Sequence, residues 1–128
     1  MQRLRPGLEL VEEAEGTGEP LECGRAYRIR LRLWLRRGDP VRWTTPSGAY
    51  EGADLSEHGA TLTAEVRFDR AVLMAGLYYG MLGMRVGGRR RLRVAPHLAY
   101  GQPGVPGVIP ENALLIAEVA VLSEGPPA

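Results

Sequence analysis

Few residues in this sequence belong to the types that build metal, redox or disulfide sites. Lysine is absent, so all 16 basic residues are arginines, which we attribute to coding bias rather than to function. Cys23 is the single cysteine, which excludes an internal disulfide and fits a reducing, cytoplasmic compartment. The two histidines, His58 and His97, lie far apart and have no second soft ligand at metal-binding spacing. We therefore expect no metal and no cofactor.

The chain also lacks a large net charge and a long hydrophobic run. Its 16 basic and 15 acidic residues leave a formal charge of +1, so no strong overall field attracts nucleic acid or an anionic membrane. The longest apolar run, residues 71–84, is interrupted by three glycines and is shorter than the roughly 20 residues that span a bilayer. The N-terminal residues lack the apolar stretch of a signal peptide. We expect a soluble, monomeric, cytoplasmic protein that binds neither nucleic acid nor membranes.

Much of the chain has the alternating pattern of β-strands. Residues 27–36 and 61–68 alternate apolar with mainly polar or charged side chains, which predicts two half-buried strands. Segments 8–11, 91–94 and 114–122 predict three further strands. The last of these is apolar at nearly every position, which is typical of a central strand.

One helix is predicted, over residues 72–83. Leu73, Leu77 and Met81 lie four residues apart along one apolar stripe of this segment. Its interior glycines each cost about 1 kcal/mol relative to alanine, so packing on the sheet must stabilise the helix. The chain is long enough for one hydrophobic core. We predict the α+β class and one domain over residues 1–128.

A ladder of arginines on the first long strand allows a different function. Arg28, Arg30 and Arg32 alternate with apolar residues, and Trp34 among them offers a stacking surface for a base, so a basic β-domain that binds nucleic acid is one alternative. The near-zero net charge and the lack of an RNA-binding motif favour a solvated strand face instead.

Three sequence blocks occur in order in the C-terminal half. They are Gly-Met-x-x-Gly-x-x-Arg at 83–90, Pro-His-Leu-Ala-Tyr-Gly at 96–101 and Ile-Pro-x-Asn-x-x-Leu at 109–115. Together they resemble the blocks of FKBP-type peptidyl-prolyl cis-trans isomerases. The resemblance extends over most of the chain, except for residues 43–63, which have no clear counterpart and are interpreted as an insertion.

The resemblance implies a fold and an activity. The fold is a bent antiparallel β-sheet wrapped around one short α-helix, with an apolar pocket that admits a proline side chain. The activity is isomerisation of X-Pro bonds in protein substrates during folding, which needs no covalent step because the barrier is rotation about an amide of about 18–20 kcal/mol. The implied partners are proline-containing peptide or protein segments, and also macrolide-type inhibitors.

The resemblance also assigns residues to the site. Tyr100 matches a tyrosine whose hydroxyl binds a substrate carbonyl, Ile109 matches an apolar wall residue, and Met74 matches a residue whose backbone N–H contacts the ligand. These three are the predicted catalytic residues. The remaining predicted pocket positions are Leu31, Val41, Arg42, Leu73, Leu77, Val105, Val108 and Ala117.

Several of these positions depart from the family pattern. Leu31, Leu77 and Ala117 replace aromatic residues, and Val41-Arg42 replaces a phenylalanine and an aspartate. Each lost aromatic side chain removes about 150–250 Å² of surface. We therefore hypothesise that Trp43 or Tyr50 enters or covers the pocket. Two functions remain open, a weak isomerase and a catalytically impaired peptide-binding or chaperone module.

Overall fold

Seven strands form one antiparallel sheet in the computed structural model, which describes residues 2–44, 46 and 48–125. The other residues of the predicted 1–128 domain lie outside the described residues. The sheet order is β1-β2-β6-β7-β3-β5-β4. The strands are β1 Gln2–Arg5, β2 Leu8–Ala14, β3 Ala26–Leu35, β4 Asp54–Ser56, β5 Thr61–Arg67, β6 Arg89–Val94 and β7 Leu115–Glu124.

The centre of the sheet is made by the strands with the clearest sequence pattern. In β3, Tyr27, Ile29, Leu31 and Leu33 are buried, and the residues between them lie on the outer face. Strand β3 pairs with β7 on one side and with β5 on the other. The five predicted strands are confirmed, and the central position of the last one is confirmed too. Strands β1 and β4 were not predicted, because both are short edge strands with few buried residues.

One α-helix, α1 Ala75–Met81, packs against β2 and β6, so the predicted α+β class is confirmed. The helix is shorter than the predicted segment 72–83. Its first turn begins only after Met74, whose backbone is extended and whose carbonyl accepts hydrogen bonds from the Leu77 and Tyr78 N–H groups. Two 3-10 turns, Gly48–Tyr50 and Pro96–Leu98, complete the regular structure.

Two glycines in the helix allow it to lie close to the sheet. A Cβ atom at Gly76 would collide with the Val94 side chain, and one at Gly80 would collide with Leu92. Both partners are fully buried on β6. The low helix propensity of these positions is therefore offset by close packing of helix against strand.

Replacing Gly76 by alanine is expected to lower the free energy of unfolding by about 1–3 kcal/mol, although alanine is the better helix former. The reason is overpacking against Val94. Urea denaturation followed by far-ultraviolet circular dichroism measures this change. As a control, Gly76→Ala should lower the free energy of unfolding clearly less in a Val94→Ala background, because the colliding Val94 methyl group is absent there. Equal costs in the two backgrounds would contradict the proposed contact.

The outer face of the sheet carries the arginine ladder. Arg28, Arg32 and Arg93 on this face form ion pairs with Asp54, Glu57 and Glu9, at 3.5, 3.1 and 3.4 Å respectively. The Arg91 guanidinium lies 4.9 Å from the centre of the Trp34 ring. Trp34 is thus stacked on a cation, and the arginines are interspersed with carboxylates, a pattern typical of a solvated strand face.

Candidate functional site

A small cavity lies between the 43–50 segment, the turn before helix α1 and the loop that follows β6. Its volume is about 230 Å³. Most of the contacting side chains are apolar or aromatic, as is typical of sites that bind a ligand away from water. The lining residues are Trp43, Gly48, Tyr50, Val72, Met74, Tyr100 and Val105.

Tyr100 is placed by a short turn that follows strand β6. The Gly101 N–H donates to the Pro96 carbonyl at 2.9 Å, and the Asn112 N–H donates to the Gly101 carbonyl at 3.0 Å. Gly101 has a φ of +62°, a conformation that favours glycine. These bonds hold Tyr100 at the start of the glycine-rich loop, with its half-buried ring in the cavity wall.

The same loop brings Val105 to the cavity. Val105 and Ile109 exchange two backbone hydrogen bonds, of 2.9 and 2.8 Å, which close the loop into a narrow hairpin. At Gly104 a Cβ atom would collide with the Ile109 and Pro110 carbonyl groups, so the turn requires glycine. This hairpin therefore holds Val105 in the wall of the cavity.

Met74 contributes both its side chain and its backbone. Among the described residues, no acceptor is found for the Met74 N–H, which precedes the first turn of helix α1. The neighbouring Leu73 N–H, in contrast, donates to the Asp69 carbonyl at 3.0 Å. Because Met74 lines the cavity, its N–H, which has no acceptor among the described residues, is a candidate donor to a bound peptide.

Trp43 and Tyr50 fill the side of the cavity that faces Tyr100. Both are buried, with 8% and 5% of their surface exposed. The Trp43 ring lies edge-on to Tyr50, at 5.7 Å between ring centres, and edge-on to Tyr100, at 6.2 Å. We call these three residues the aromatic cluster. The hypothesis that Trp43 or Tyr50 enters the pocket is confirmed for both.

Alternation along the chain explains why Trp43 points inward. Val41 is buried, Arg42 is exposed, and Trp43 is buried again. The Arg42 guanidinium donates to the Glu57 carbonyl at 2.8 Å, while the Trp43 N–H donates to the Gly59 carbonyl at 2.9 Å. The tip between β4 and β5 thus holds the Arg42 side chain and the Trp43 backbone in place.

Burial is the main influence on the acidity of both tyrosines in the aromatic cluster. Burial raises the pKa of Tyr50 well above its ordinary value, and Tyr100 raises it further through charge repulsion and a hydrogen bond. Burial also raises the pKa of Tyr100, although the hydrogen bond with Tyr50 opposes this effect. Both side chains therefore remain protonated, and able to donate, across the physiological pH range.

Trp43 carries a buried donor that has no partner in the described part of the chain. Its indole Nε1 is buried and has no hydrogen-bond partner among the described residues. An unpaired buried donor costs about 1–3 kcal/mol, which burial of the large ring must offset. The indole N–H is therefore not bonded to either tyrosine oxygen.

The structure separates the predicted site residues into three groups. Met74, Val105 and Tyr100 line the cavity. Arg42 instead lies in a groove on the outer face with Trp34 and His58, so its predicted place in the pocket does not hold. The remaining positions belong to the core or its margin and do not line the cavity: Leu31, Val41, Leu73, Leu77, Ile109 and Ala117 are buried, and Val108 is partly buried.

Two lining residues were not predicted. Gly48 contributes backbone from the 3-10 turn, and Val72 stands at the rim with 40% of its surface exposed. Val72 could have been found from its position beside the predicted Leu73-Met74 pair, whereas nothing in the sequence marks Gly48. Within the described residues, no group of three potential metal ligands lies together, and no helix is long and apolar enough to cross a membrane.

Comparison with known proteins identifies the family. The family model described as FKBP-type peptidyl-prolyl cis-trans isomerase matches residues 49–122, which include much of the segment interpreted as an insertion. FK506-binding protein 1A of Neurospora crassa is 51% identical over 119 residues, covering 90% of this chain and 84% of that protein. FK506-binding protein 4 of Chaetomium thermophilum is 42% identical over 116 residues, covering 91% of this chain. The chain spans only 21% of that longer protein.

Solved structures show the same fold. The N-terminal domain of FKBP42 from Arabidopsis thaliana superposes with a TM-score of 0.68 at 22% identity, covering 98% of this chain and 91% of that one. The crystal structure of AtFKBP13 gives a TM-score of 0.70 at 22% identity, covering 94% of both chains. The family match and the sequence identities show that the chain belongs to the FKBP-type peptidyl-prolyl cis-trans isomerase family.

Proposed function

We propose that this domain catalyses cis-trans isomerisation of X-Pro bonds in protein substrates. The observation that carries the proposal is the cavity itself, which Tyr100 and Met74 line together with mainly apolar residues, and where the Met74 N–H has no acceptor among the described residues. The two groups are of the kind that can hold the carbonyl groups of a peptide on either side of a bound proline ring. Family membership supports the same function.

The cavity can lower the rotation barrier without covalent chemistry. Amide resonance sets a barrier of about 18–20 kcal/mol, so that uncatalysed exchange takes roughly 10–100 s. An apolar surface disfavours the more polar planar amide relative to the twisted one. Tyr100 and Met74 hold the flanking carbonyl groups while the bond turns. Only interactions that are stronger in the twisted state than in the planar state accelerate the reaction.

The size of the cavity limits the ligand. Pockets that bury a drug-sized ligand have volumes of roughly 300–1,000 Å³, whereas this cavity measures about 230 Å³. It suits one proline ring with its immediate peptide neighbours, and the exposed Val72 extends the apolar surface at the rim. We propose that FK506-type macrolides bind here through one inserted ring, with the rest of the ligand outside the cavity.

Replacing Tyr100 by phenylalanine is expected to reduce kcat/KM for a proline peptide by about tenfold, because one hydrogen bond to the substrate is lost. Exchange NMR spectroscopy measures cis-trans interconversion without a coupled protease. Tyr79→Phe is the matched control, because the Tyr79 ring stacks on Arg5 outside the cavity, with the guanidinium 3.6 Å from the ring centre. A wild-type protein that binds the peptide without accelerating exchange would instead indicate a peptide-binding module.

We also propose that the protein works in a reducing compartment such as the cytoplasm. Cys23 is exposed and free, with its sulfur 3.1 Å from the Tyr78 hydroxyl. An exposed single thiol is prone to oxidation in a disulfide-forming compartment. Recovery of the protein mainly from an extracytoplasmic fraction would contradict this proposal.

A further inference from the structure

A second concave surface lies on the outer face of the sheet, beside the tip between β4 and β5. Its volume is about 540 Å³, within the roughly 300–1,000 Å³ that is typical of ligand sites. The cavity of the aromatic cluster is smaller, at about 230 Å³. We call the second surface the outer groove, and it is lined by Arg32, Trp34, Pro40, Arg42, Glu57, His58 and Ala60.

Trp34 gives the outer groove an aromatic wall. Alternation along β3 places Arg32 and Trp34 on the outer face of the sheet. The chain reverses after this strand, and Pro40 returns to form a backbone bridge with Trp34. The Arg91 guanidinium lies 4.9 Å from the centre of the Trp34 ring. Trp34 is therefore held by its strand, by Pro40 and by a cation, and offers a fixed apolar surface to a ligand.

Arg42 gives the outer groove a cation that is oriented but not neutralised. Its Nη1 donates to the Glu57 carbonyl at 2.8 Å and to the His58 carbonyl at 3.3 Å. Among the described residues, Arg42 forms no ion pair with a carboxylate, and its Nε and Nη2 have no acceptor. Backbone carbonyls fix the guanidinium without removing its charge. The remaining N–H groups of Arg42 are therefore donors for a bound anion.

The carboxylate that lines the outer groove is engaged by other side chains. Glu57 Oε1 accepts from Arg32 Nη2 at 3.1 Å, and Glu57 Oε2 accepts from the Thr61 hydroxyl at 2.9 Å. Arg32 Nε donates to the Thr61 oxygen at 3.0 Å, which closes a ring of three hydrogen bonds. Arg32 thus balances the charge of Glu57. With His58 neutral, the lining residues carry an excess of one positive charge, that of Arg42.

The tip that holds Arg42 has an unusual backbone. Glu57 and His58 have φ angles of +54° and +56°, in the left-handed region that residues other than glycine rarely adopt. The carbonyls of both residues accept from Arg42. Residues held in such conformations are concentrated at functional sites, where surrounding contacts stabilise them. The fold therefore keeps two polar side chains at the outer groove despite a conformational cost, and Arg42 stabilises the arrangement.

We propose that the outer groove is a second binding site, which takes an acidic segment of a partner protein. A carboxylate of the segment binds the Arg42 guanidinium, and a neighbouring aromatic side chain packs against Trp34. The planar fork of arginine matches the two oxygens of a carboxylate. Occupancy of the outer groove does not depend on the isomerase function, because Arg42 faces outward whereas Trp43 lines the cavity.

The charges of the outer groove favour an acidic peptide over a nucleic acid. A nucleic-acid strand carries one phosphate per nucleotide, and its binding increases with the number of cations that contact phosphates. The outer groove offers one uncompensated cation beside the carboxylate of Glu57, which repels a continuous row of phosphates. A peptide needs only one carboxylate at Arg42, and its next side chain supplies the apolar contact with Trp34.

The first test is a ¹⁵N NMR titration with a proline-free peptide, acetyl-Gly-Tyr-Asp-Glu-Gly-amide. The peptide is expected to shift the Trp34 indole signal and to leave the Trp43 indole signal in place. An otherwise identical peptide with Asn and Gln at the acidic positions should bind at least about tenfold more weakly, because charge-assisted hydrogen bonds are lost. Equal affinities for the two peptides, or no Trp34 shift, would overturn the proposal. Tighter binding of a single-stranded oligonucleotide, or of acetate alone, would overturn the choice of partner.

The second test uses variants of Arg42 and Trp34. Arg42→Gln is expected to raise the Kd of the acidic peptide at least about tenfold, and Arg42→Lys to raise it less, because lysine keeps the charge without the fork. Trp34→Ala should weaken binding as well, without altering the bonds between Arg42 and the tip. Arg85→Gln is the matched control, since exposed Arg85 lies outside the lining of the outer groove. Unchanged affinity in both Arg42→Gln and Trp34→Ala would contradict the proposed site.

A neutral proline peptide keeps this site distinct from the cavity. Arg42→Gln is expected to leave its isomerisation rate within about twofold of the wild-type rate, since Arg42 does not line the cavity. If the wild type shows no isomerisation, the proposed function fails, while the acidic peptide still decides the question of the outer groove. Equal losses of neutral and acidic peptide binding in Arg42→Gln would mean that the substitution disturbs the fold around Trp43, and would overturn a separate site.

Discussion

Replacing Trp43 by alanine is expected to lower the free energy of unfolding by about 3–5 kcal/mol, the range typical of a buried aromatic residue that leaves a cavity. Only 8% of the Trp43 surface is exposed, and its ring packs against both tyrosines of the aromatic cluster. Removing its ring takes away the common surface against which Tyr50 and Tyr100 pack. We therefore expect peptide binding to fall below detection as well.

Trp34→Ala is the matched control for Trp43→Ala. Trp34 is partly buried on the outer face of β3 and touches Arg91 instead of the cavity. Trp34→Ala is expected to lower the free energy of unfolding by less than about 2 kcal/mol, because water can fill the exposed site. Binding of a neutral proline peptide is expected to stay intact. Urea denaturation and a peptide titration measure the two effects. Equal stability losses for both variants, with binding retained in Trp43→Ala, would contradict the role assigned to the aromatic cluster.

Replacing Arg90 by methionine is expected to lower the free energy of unfolding by about 2–4 kcal/mol. Arg90 is buried and makes an ion pair of 2.7 Å with Glu13, while its guanidinium also donates to the Gly80 and Leu82 carbonyls at 3.0 and 2.7 Å. It thereby joins strand β2 to the end of helix α1. The substitution leaves these acceptors without a donor, which costs more than the lost bonds themselves. Water reaching the partly exposed Glu13 limits the loss.

Two further variants separate charge from geometry at Arg90. Arg90→Lys keeps the charge but lacks the planar fork that reaches Glu13 and two carbonyls together, so an intermediate loss is expected. Arg85→Met is a control on the same segment, since the exposed Arg85 guanidinium donates to a single acceptor among the described residues, the Gly18 carbonyl at 3.1 Å. Chemical denaturation should show the largest loss of stability for Arg90→Met, an intermediate loss for Arg90→Lys and the smallest loss for Arg85→Met. If Arg90→Met were as stable as the wild type, the stabilising role assigned to the buried Arg90 contacts would be wrong.

Strands could be predicted where apolar and polar side chains alternate, because this alternation directly reflects which side chains are buried. Residues 27–36 and 61–68 alternate because one face of each strand covers the core, and they form β3 and β5. The helix was predicted three residues too early, because Leu73 fits the apolar stripe but its N–H is bonded to the Asp69 carbonyl in a preceding turn. The edge strand β4 exists only through its pairing with β5, which no local pattern encodes.

The site could be predicted only in part, because substitutions within it compensate one another. Tyr100 was found because it lies in a sequence block whose spacing is fixed by the turn at Pro96–Leu98. The loss of aromatic residues at Leu77 and Ala117 was also evident, but no local pattern shows that Trp43 and Tyr50, from a distant segment, line the cavity with Tyr100. Trp43 and Arg42 differ by one position and face opposite sides, so an error of one residue in strand alternation moves a side chain out of the pocket.

The central claim, that a proline peptide binds in the cavity of the aromatic cluster, is tested most directly by ¹⁵N NMR titration. The two indole N–H signals report on opposite faces, because Trp43 lines the cavity and Trp34 lies in the outer groove. Adding a short proline-containing peptide is expected to shift the Trp43 indole signal and the Met74 and Tyr100 amide signals. The Trp34 indole signal should stay in place. Shifts confined to Trp34 and its groove, or no shifts at saturating peptide, would contradict the account.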